Sequence, residues 1–393
     1  MSSEQELVRP SWGHKATLWQ WREPAFWVFS LMLVAGIILS IVIQLGFADL
    51  SPTGWSLSWF LMLLYAVPMF LLVYFLDLYE REPLSLVFAS LLWGGFAATL
   101  LSVIASEGWS TLAFDLLGEN ALEWGAAVVA PPVEEILKGV GVIFIALIAR
   151  GEMDDLMDGF VYGAMVGLGF TVVEDVLYFI GVFGGTVGGV LEGFYVRVIA
   201  SGLYGHVLYS GLFGVAVAYF VTRRKEATLG KRLAVSGGLI LTGIIGHAIW
   251  NSPLVFFFPE ELNSPAAYLQ LLFATAVKGL PLLLFVYLMV RMAHRREHKW
   301  LRAALVGEVG GPGIQPEELE ILQSPSARRL ARREMKRRSG PVAAATLKRL
   351  QRAQIDLAMI NSRVHDPEHP DLVRQRAYCA SLRTWLEANA GPG

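Results

Sequence analysis

Eight stretches of the chain are apolar for long enough to cross a bilayer, for which about 20 residues suffice. They are Ala25–Ala48, Trp55–Leu76, Leu84–Ala105, Gly125–Ala149, Gly159–Phe183, Val198–Val221, Leu233–Phe256 and Tyr268–Val290. In lipid each backbone N–H and C=O must find its partner within the segment, so stretches of this length predict helices. Only 17% of the residues are charged, against about 25% in soluble proteins. A soluble globular enzyme or binding module is excluded. The expected fold class is all-α, a polytopic transmembrane helical bundle of about eight spans with a helical basic tail.

Charge is distributed unevenly. Residues 1–290 carry a net −10 and residues 291–393 a net +8. This predicts three parts: an N-terminal segment 1–24, a transmembrane domain 25–290 and a cytoplasmic basic tail 291–393. With the N-terminus inside, the inner segments hold Arg9, Lys15, Arg22, Arg81, Arg150, Arg223, Arg224, Lys225, Lys231 and Arg232, whereas the outer loops hold only Arg197. Basic residues favour the cytoplasmic side, so the expectation is a multi-pass cell-membrane protein with both termini cytoplasmic. The first span is too long for a signal-peptide core and reads as a retained helix. The run Arg328–Arg338 reads as a face near anionic lipid headgroups; no motif accompanies it that would make nucleic acid the partner. The single cysteine, Cys379, precludes an intrachain disulfide and a cysteine-based metal site.

The fourth stretch breaks the apolar rule with Pro131-Pro132-Val133-Glu134-Glu135-Ile136-Leu137-Lys138. Each ionisable side chain at the centre of a membrane helix costs about 2.5–3.5 kcal/mol unless it is paired or wetted. Every later span carries such a group as well: Glu174 and Asp175, His206, His247 with Asn251, and Lys278. Counting from the expected outer ends, Glu134, Glu174, His206 and His247 all lie about 12–14 Å deep at 1.5 Å per residue. Four helices of alternating direction thus bring two carboxylates and two imidazoles to one level. Glu134 and Lys138 are four apart and share a face, as do His247 and Asn251. The proline pair predicts a broken span with Glu134 and Glu135 in the first turn of a new half-helix, where the dipole favours anions. Taken singly, each feature has a structural explanation: a buried ion pair, an interhelical hydrogen bond, a kink. Their common depth points to a site. A broken helix with buried Glu, Lys and His also suits a proton- or ion-coupled transporter, but matching interruptions in two halves are lacking. Gly159, Gly163 and Gly167 read as helix-packing positions.

These residues resemble the PrsW-type intramembrane proteases, within the superfamily of CAAX-processing and bacteriocin-processing membrane proteases. The resemblance rests on Glu134-Glu135-x-x-Lys138, Gly167-x-x-Phe170-x-x-x-Glu174, Arg197 followed by His206, and His247-x-x-Trp250-Asn251. It covers roughly Gly125–Phe256; Asp175 stands where the family tends to have Asn. It implies hydrolysis of a peptide bond in a membrane-associated protein, a single-pass anti-sigma factor in the type member's setting. Glu134 or Glu135 would then activate water. His206 and His247 would stabilise the oxyanion or hold a metal, with Glu174 as ligand or orienter, and Asn251 would assist. Lys138, Arg197 and Phe170 would support them. Glu174, His206 and His247 match a zinc set with one open position, and a metal-free mechanism uses the same residues. His-Glu-x-x-His and Gly-x-Ser-x-Gly are both absent, as is a pair of membrane aspartates.

Overall fold

The computed structural model describes residues 17–77, 81–200, 203–253, 264–364 and 366–389. The N-terminal segment up to residue 16 and the outer end expected for the seventh span, Phe256, lie outside them. The chain is helical throughout, with no strand among the described residues. The helices are α1 (Pro24–Leu50), α2 (Pro52–Tyr74), α3 (Leu84–Leu92), α4 (Thr99–Leu117), α5 (Ala121–Val128), α6 (Ala130–Ile148) and α7 (Leu156–Gly181). They continue as α8 (Val187–Phe194), α9 (Gly205–Thr222), α10 (Leu229–Asn251), α11 (Pro265–Leu305), α12 (Pro316–Gln323), α13 (Pro325–Arg363) and α14 (Pro370–Asn389). A π-helical segment, Trp93–Ala98, joins α3 to α4. The contacts divide the chain into two compact units, Lys15–Val290 and a unit containing Arg291–Gly393.

Seven helical stretches among the described residues are long and apolar enough to cross a membrane, and the protein is an all-α polytopic bundle. The fourth expected span, Gly125–Ala149, is not one uninterrupted helix. It is divided at Val129 into α5 and α6. α6 fails as an apolar span on composition, because its 19 residues include Glu134, Glu135 and Lys138. The helix begins at Ala130, one residue before the prolines, and no acidic residue lies in its first turn. The expected capping of the half-helix dipole by Glu134 and Glu135 is therefore not the arrangement found. The sixth span also starts later than its apolar run suggests. Leu203 takes a left-handed conformation (φ 65°) and α9 opens only at Gly205. His206 is consequently the second residue of its helix, and counting inward from Val198 misjudged its place along it.

α7 is the axis of the bundle. In its most apolar window 94% of residues are buried, against 17% in α2 and in α10. Outer helices instead leave Leu31, Leu45, Leu63 and Leu241 exposed, as a lipid-facing surface requires. Asp155 starts α7 with a capping box: its carboxylate accepts from Met157 N (2.6 Å) and Asp158 N (3.2 Å), and Asp158 Oδ2 accepts from Asp155 N (2.7 Å). Glycine permits a close approach of α7 and α9. A methyl at Gly163 would collide with the Ser210 carbonyl, and one at Gly167 with the His206 carbonyl. The glycine stripe thus lets the α9 backbone lie directly on α7, which fixes His206 against Glu174. From another side, Trp93 donates to Leu137 O (3.1 Å), stacks on Phe29 and covers Gly141, pinning α6.

The tail unit has a core of its own, with Ala343, Leu350, Ala353, Cys379, Leu382 and Leu386 buried together. Within it α12 and α13 are divided at Ser324, and the helical run of α13 turns at Gly340 (φ 86°).

Candidate active site

α6 delivers Glu134, Glu135 and Lys138 on adjoining faces of one turn, and all three are buried. Lys138 Nζ lies 2.6 Å from Glu135 Oε1 and 3.3 Å from Glu134 Oε2. The stronger pairing is therefore with Glu135, three residues back, rather than with Glu134, the partner expected from four-residue spacing. Lys138 also donates to His206 Nδ1 (2.9 Å), and its ammonium stands 3.9 Å over the Phe170 ring. Since the ammonium only donates, His206 Nδ1 accepts, which leaves its Nε2 to carry the proton toward Glu174 Oε2 at 3.1 Å.

α10 brings His247. Its Nδ1 is 3.1 Å from Glu135 Oε1, and Asn251 Nδ2 lies 3.3 Å from its Nε2. The amide nitrogen donates, so Nε2 accepts and Nδ1–H points at the carboxylate. Asn251 also donates to Ala126 O (3.2 Å), tying the end of α10 to α5. The two imidazoles meet edge to face, with centroids 4.8 Å apart. Arg197 closes the other side, with NH2 2.6 Å from Glu174 Oε2 and Nε 2.5 Å from Asp175 Oδ1. Asp175 is thus a buried partner of Arg197.

The predicted residues therefore converge: Glu134, Glu135, Lys138, Glu174, Arg197, His206, His247 and Asn251 form one hydrogen-bonded network, and the Phe170 ring packs beneath the Lys138 ammonium. Two members escaped the sequence reading. Ser210 donates to Glu135 Oε2 (3.0 Å), and Tyr209 stacks on His247 at 4.9 Å and 8°. Ser210 had a signal, since it lies one turn after His206 on the same face. Lys278 is not part of the network; it donates to Trp250 O (3.0 Å) and Ser252 O (2.8 Å) at the end of α10.

Two cavities reach the network. One of about 260 Å³ is lined by Glu134, Glu174, Arg197, His206, His247 and Asn251. The other, about 740 Å³ and mostly apolar, lies among α1, α4, α5 and α7 and also reaches Glu134 and Glu174. Glu135 lines neither, enclosed by Lys138, Ser210 and His247.

Potential ligand atoms of Glu134, Glu135, His206 and His247 all lie within 4.8 Å of one another. Carboxylate oxygen and imidazole nitrogen are donors that zinc takes, so the set fits such an ion in type and number. Glu174, expected among the ligands, lies outside this group and is engaged by Arg197.

Residues 82–290, more than half of the chain, match the family described as PrsW family intramembrane metalloprotease. The chain belongs to this family. Two PrsW relatives are similar over shorter regions. Protease PrsW of Geobacillus kaustophilus (strain HTA426) is 34% identical over 109 residues, 27% of this chain and 44% of its own length. Protease PrsW of Clostridioides difficile (strain 630) is 25% identical over 176 residues, 44% of this chain and 69% of its own length. No solved structure matches. The PrsW match covers every residue of the network.

Proposed function

We propose that the protein is an intramembrane endopeptidase that hydrolyses a peptide bond of a membrane-embedded protein, with Glu134 as the base that activates water. The observation that carries this reading is that Glu134, alone among the four clustered Glu and His groups, lines both cavities. A water beside Glu134 gives a proton to its carboxylate as the water oxygen bonds to the scissile carbonyl carbon. The carbonyl π pair moves to oxygen, and the N–H groups lining the cavity, from His206, Arg197 and Asn251, are at hand to receive that charge. When the C–N bond breaks, the proton on Glu134 passes to the leaving nitrogen. Glu135, held by Lys138, Ser210 and His247, is a positioning residue that bonds His247 directly and reaches His206 through Lys138.

Glu135, His206 and His247 would hold a zinc ion if one is resident, leaving Glu134 free as the base and one position open, and the ion would supply Lewis-acid polarisation and a more acidic water. An ammonium and a zinc ion cannot share the same donors at hydrogen-bonding distance, so Lys138 and the metal compete for Glu135 and His206. Lys138→Met should therefore raise zinc bound per mole of purified protein, a quantity read by elemental analysis without any assay of activity. The substrate class, by family analogy, includes single-pass proteins such as anti-sigma factors, and the basic loops favour an orientation with both termini cytoplasmic.

The deciding experiment reconstitutes the full chain in proteoliposomes with a single-span substrate. Glu134→Gln/Glu135→Gln should abolish cleavage while the protein stays monodisperse. A double variant with full activity would remove the hydrolase reading, and solute uptake without any cleavage product would favour a transporter.

A further inference from the structure

The larger cavity holds two hydrogen-bonding groups that the protein leaves unused. Gln44 on α1 and Ser102 on α4 both line it, and both side chains are more than nine-tenths buried. Among the described residues, Gln44 Nε2 and Ser102 Oγ have no hydrogen-bond partner. The direction of the Gln44 amide is fixed by its neighbours. Its Oε1 accepts from the indole N–H groups of Trp55 (2.7 Å) and Trp59 (3.0 Å). An indole nitrogen only donates, so the oxygen must face α2 and the NH₂ must face away from it. Ser102 is equally unusual. A helical hydroxyl commonly bonds back to its own helix, as Thr99 does to Gly94 O (2.9 Å); Ser102 does not.

A buried donor without a partner costs about 1–3 kcal/mol, and water is scarce at membrane depth. An acyl chain offers Gln44 nothing to bond. Lipid ester groups sit at the interface, whereas Gln44 lies about 9 Å along α1 from its end. An intact transmembrane helix would not serve either, because its carbonyls are already used internally. An unwound peptide does have free C=O and N–H groups.

We propose that this cavity is the substrate's docking channel. In it Gln44 and Ser102 hydrogen-bond the backbone of a locally unwound, membrane-embedded peptide and hold the segment next to the bond presented to Glu134. This rests on the hydrolase reading and adds the substrate class to it: apolar single-span segments carrying helix-weakening residues such as Gly or Ser near the cut. The volume, about 740 Å³, lies in the usual range for specific ligand sites, about 300–1,000 Å³.

The test uses the full chain in phosphatidylethanolamine/phosphatidylglycerol vesicles, with a synthetic single-span Leu/Ala peptide interrupted by Gly-Ser. A photoreactive benzoylphenylalanine replaces Val103, which lines the cavity, in a Glu134→Gln background so that the peptide is not consumed. The expected result is a peptide adduct whose half-saturating peptide concentration rises about fivefold with Ser102→Ala and again with Gln44→Met, the loss of one net hydrogen bond each. In the active protein the same changes should raise KM about fivefold and leave kcat within about twofold. Ser102→Ala removes an unpaired hydroxyl, so its thermal midpoint should not fall, and this separates binding from folding. Adducts to phospholipid alone, or peptide binding indifferent to Ser102→Ala, would overturn the channel. Cross-linking by a chain that never cleaves the peptide would uphold the channel and overturn the hydrolase reading.

Discussion

Two clusters of buried carboxylates stand near opposite ends of α7, and they are built differently. Asp77, Glu82 and Asp158 bring ligand-type oxygens within 4.8 Å of one another near the start of the helix. Glu134, Glu135, His206 and His247 do the same near its far end. In the first cluster Asp158 accepts two backbone N–H groups in a helix cap, and Tyr162 donates its hydroxyl to Glu82. The Asp158 bonds are local to the start of α7, and the Tyr162 bond ties that helix to the segment before α3. In the second cluster the carboxylates face Lys138 and two imidazoles drawn from three different helices, and two cavities open on Glu134. Burial of acid is common to both. What the second cluster adds is two imidazoles, an ammonium and two cavities that reach Glu134.

That contrast can be broken by substitution. The largest effects belong to the second cluster: His206→Ala and His247→Ala should each slow cleavage by about 10²–10³-fold, the range seen when a proton-transferring or oxyanion-binding group is lost. Size-exclusion profiles should be unchanged. Intermediate effects belong to the helix cap beside the first cluster, which Asp155 shares with Asp158. Asp155→Ala removes the α7 cap and should lower stability by about 1 kcal/mol, while cleavage per folded molecule stays within about twofold. The smallest effect lies in the tail. Burial raises the Cys379 thiol from 9.0 to about 12. A folded-state pKa above the unfolded value means that the protonated thiol's contribution is complete below pH 9 and is lost as the pH rises toward 12. Tail stability should decline over that window in the wild type and less so in Cys379→Ala, as followed by denaturant midpoints at several pH values.

The ionised half of the site was legible because charge in an apolar run has few places to go. Glu134, Glu135, Lys138, Glu174, His206 and His247 each needed a partner, and equal depth supplied one. The same reasoning missed Ser210 and Tyr209, whose burial costs little and leaves no energetic mark on a sequence. It also misjudged helix ends. Apolarity runs on through the left-handed Leu203, so hydropathy could not see that α9 opens at Gly205. Pro131-Pro132 does accompany a break, but at Val129, so the carboxylates fall in the second turn of α6 rather than in the first. The glycine stripe was read correctly as packing, and its consequence, the closeness of His206 to α7, needed three dimensions.

The most direct test compares Glu134→Gln and Asp158→Asn in one proteoliposome cleavage assay, with rates expressed per mole of monodisperse protein. Glu134→Gln should lose at least about 10³-fold, because the base is gone. Asp158→Asn, which keeps an oxygen to accept the backbone N–H groups, should stay within about twofold of the wild type. Cleavage by Glu134→Gln within tenfold of the wild-type rate would contradict the assignment of Glu134 as the base.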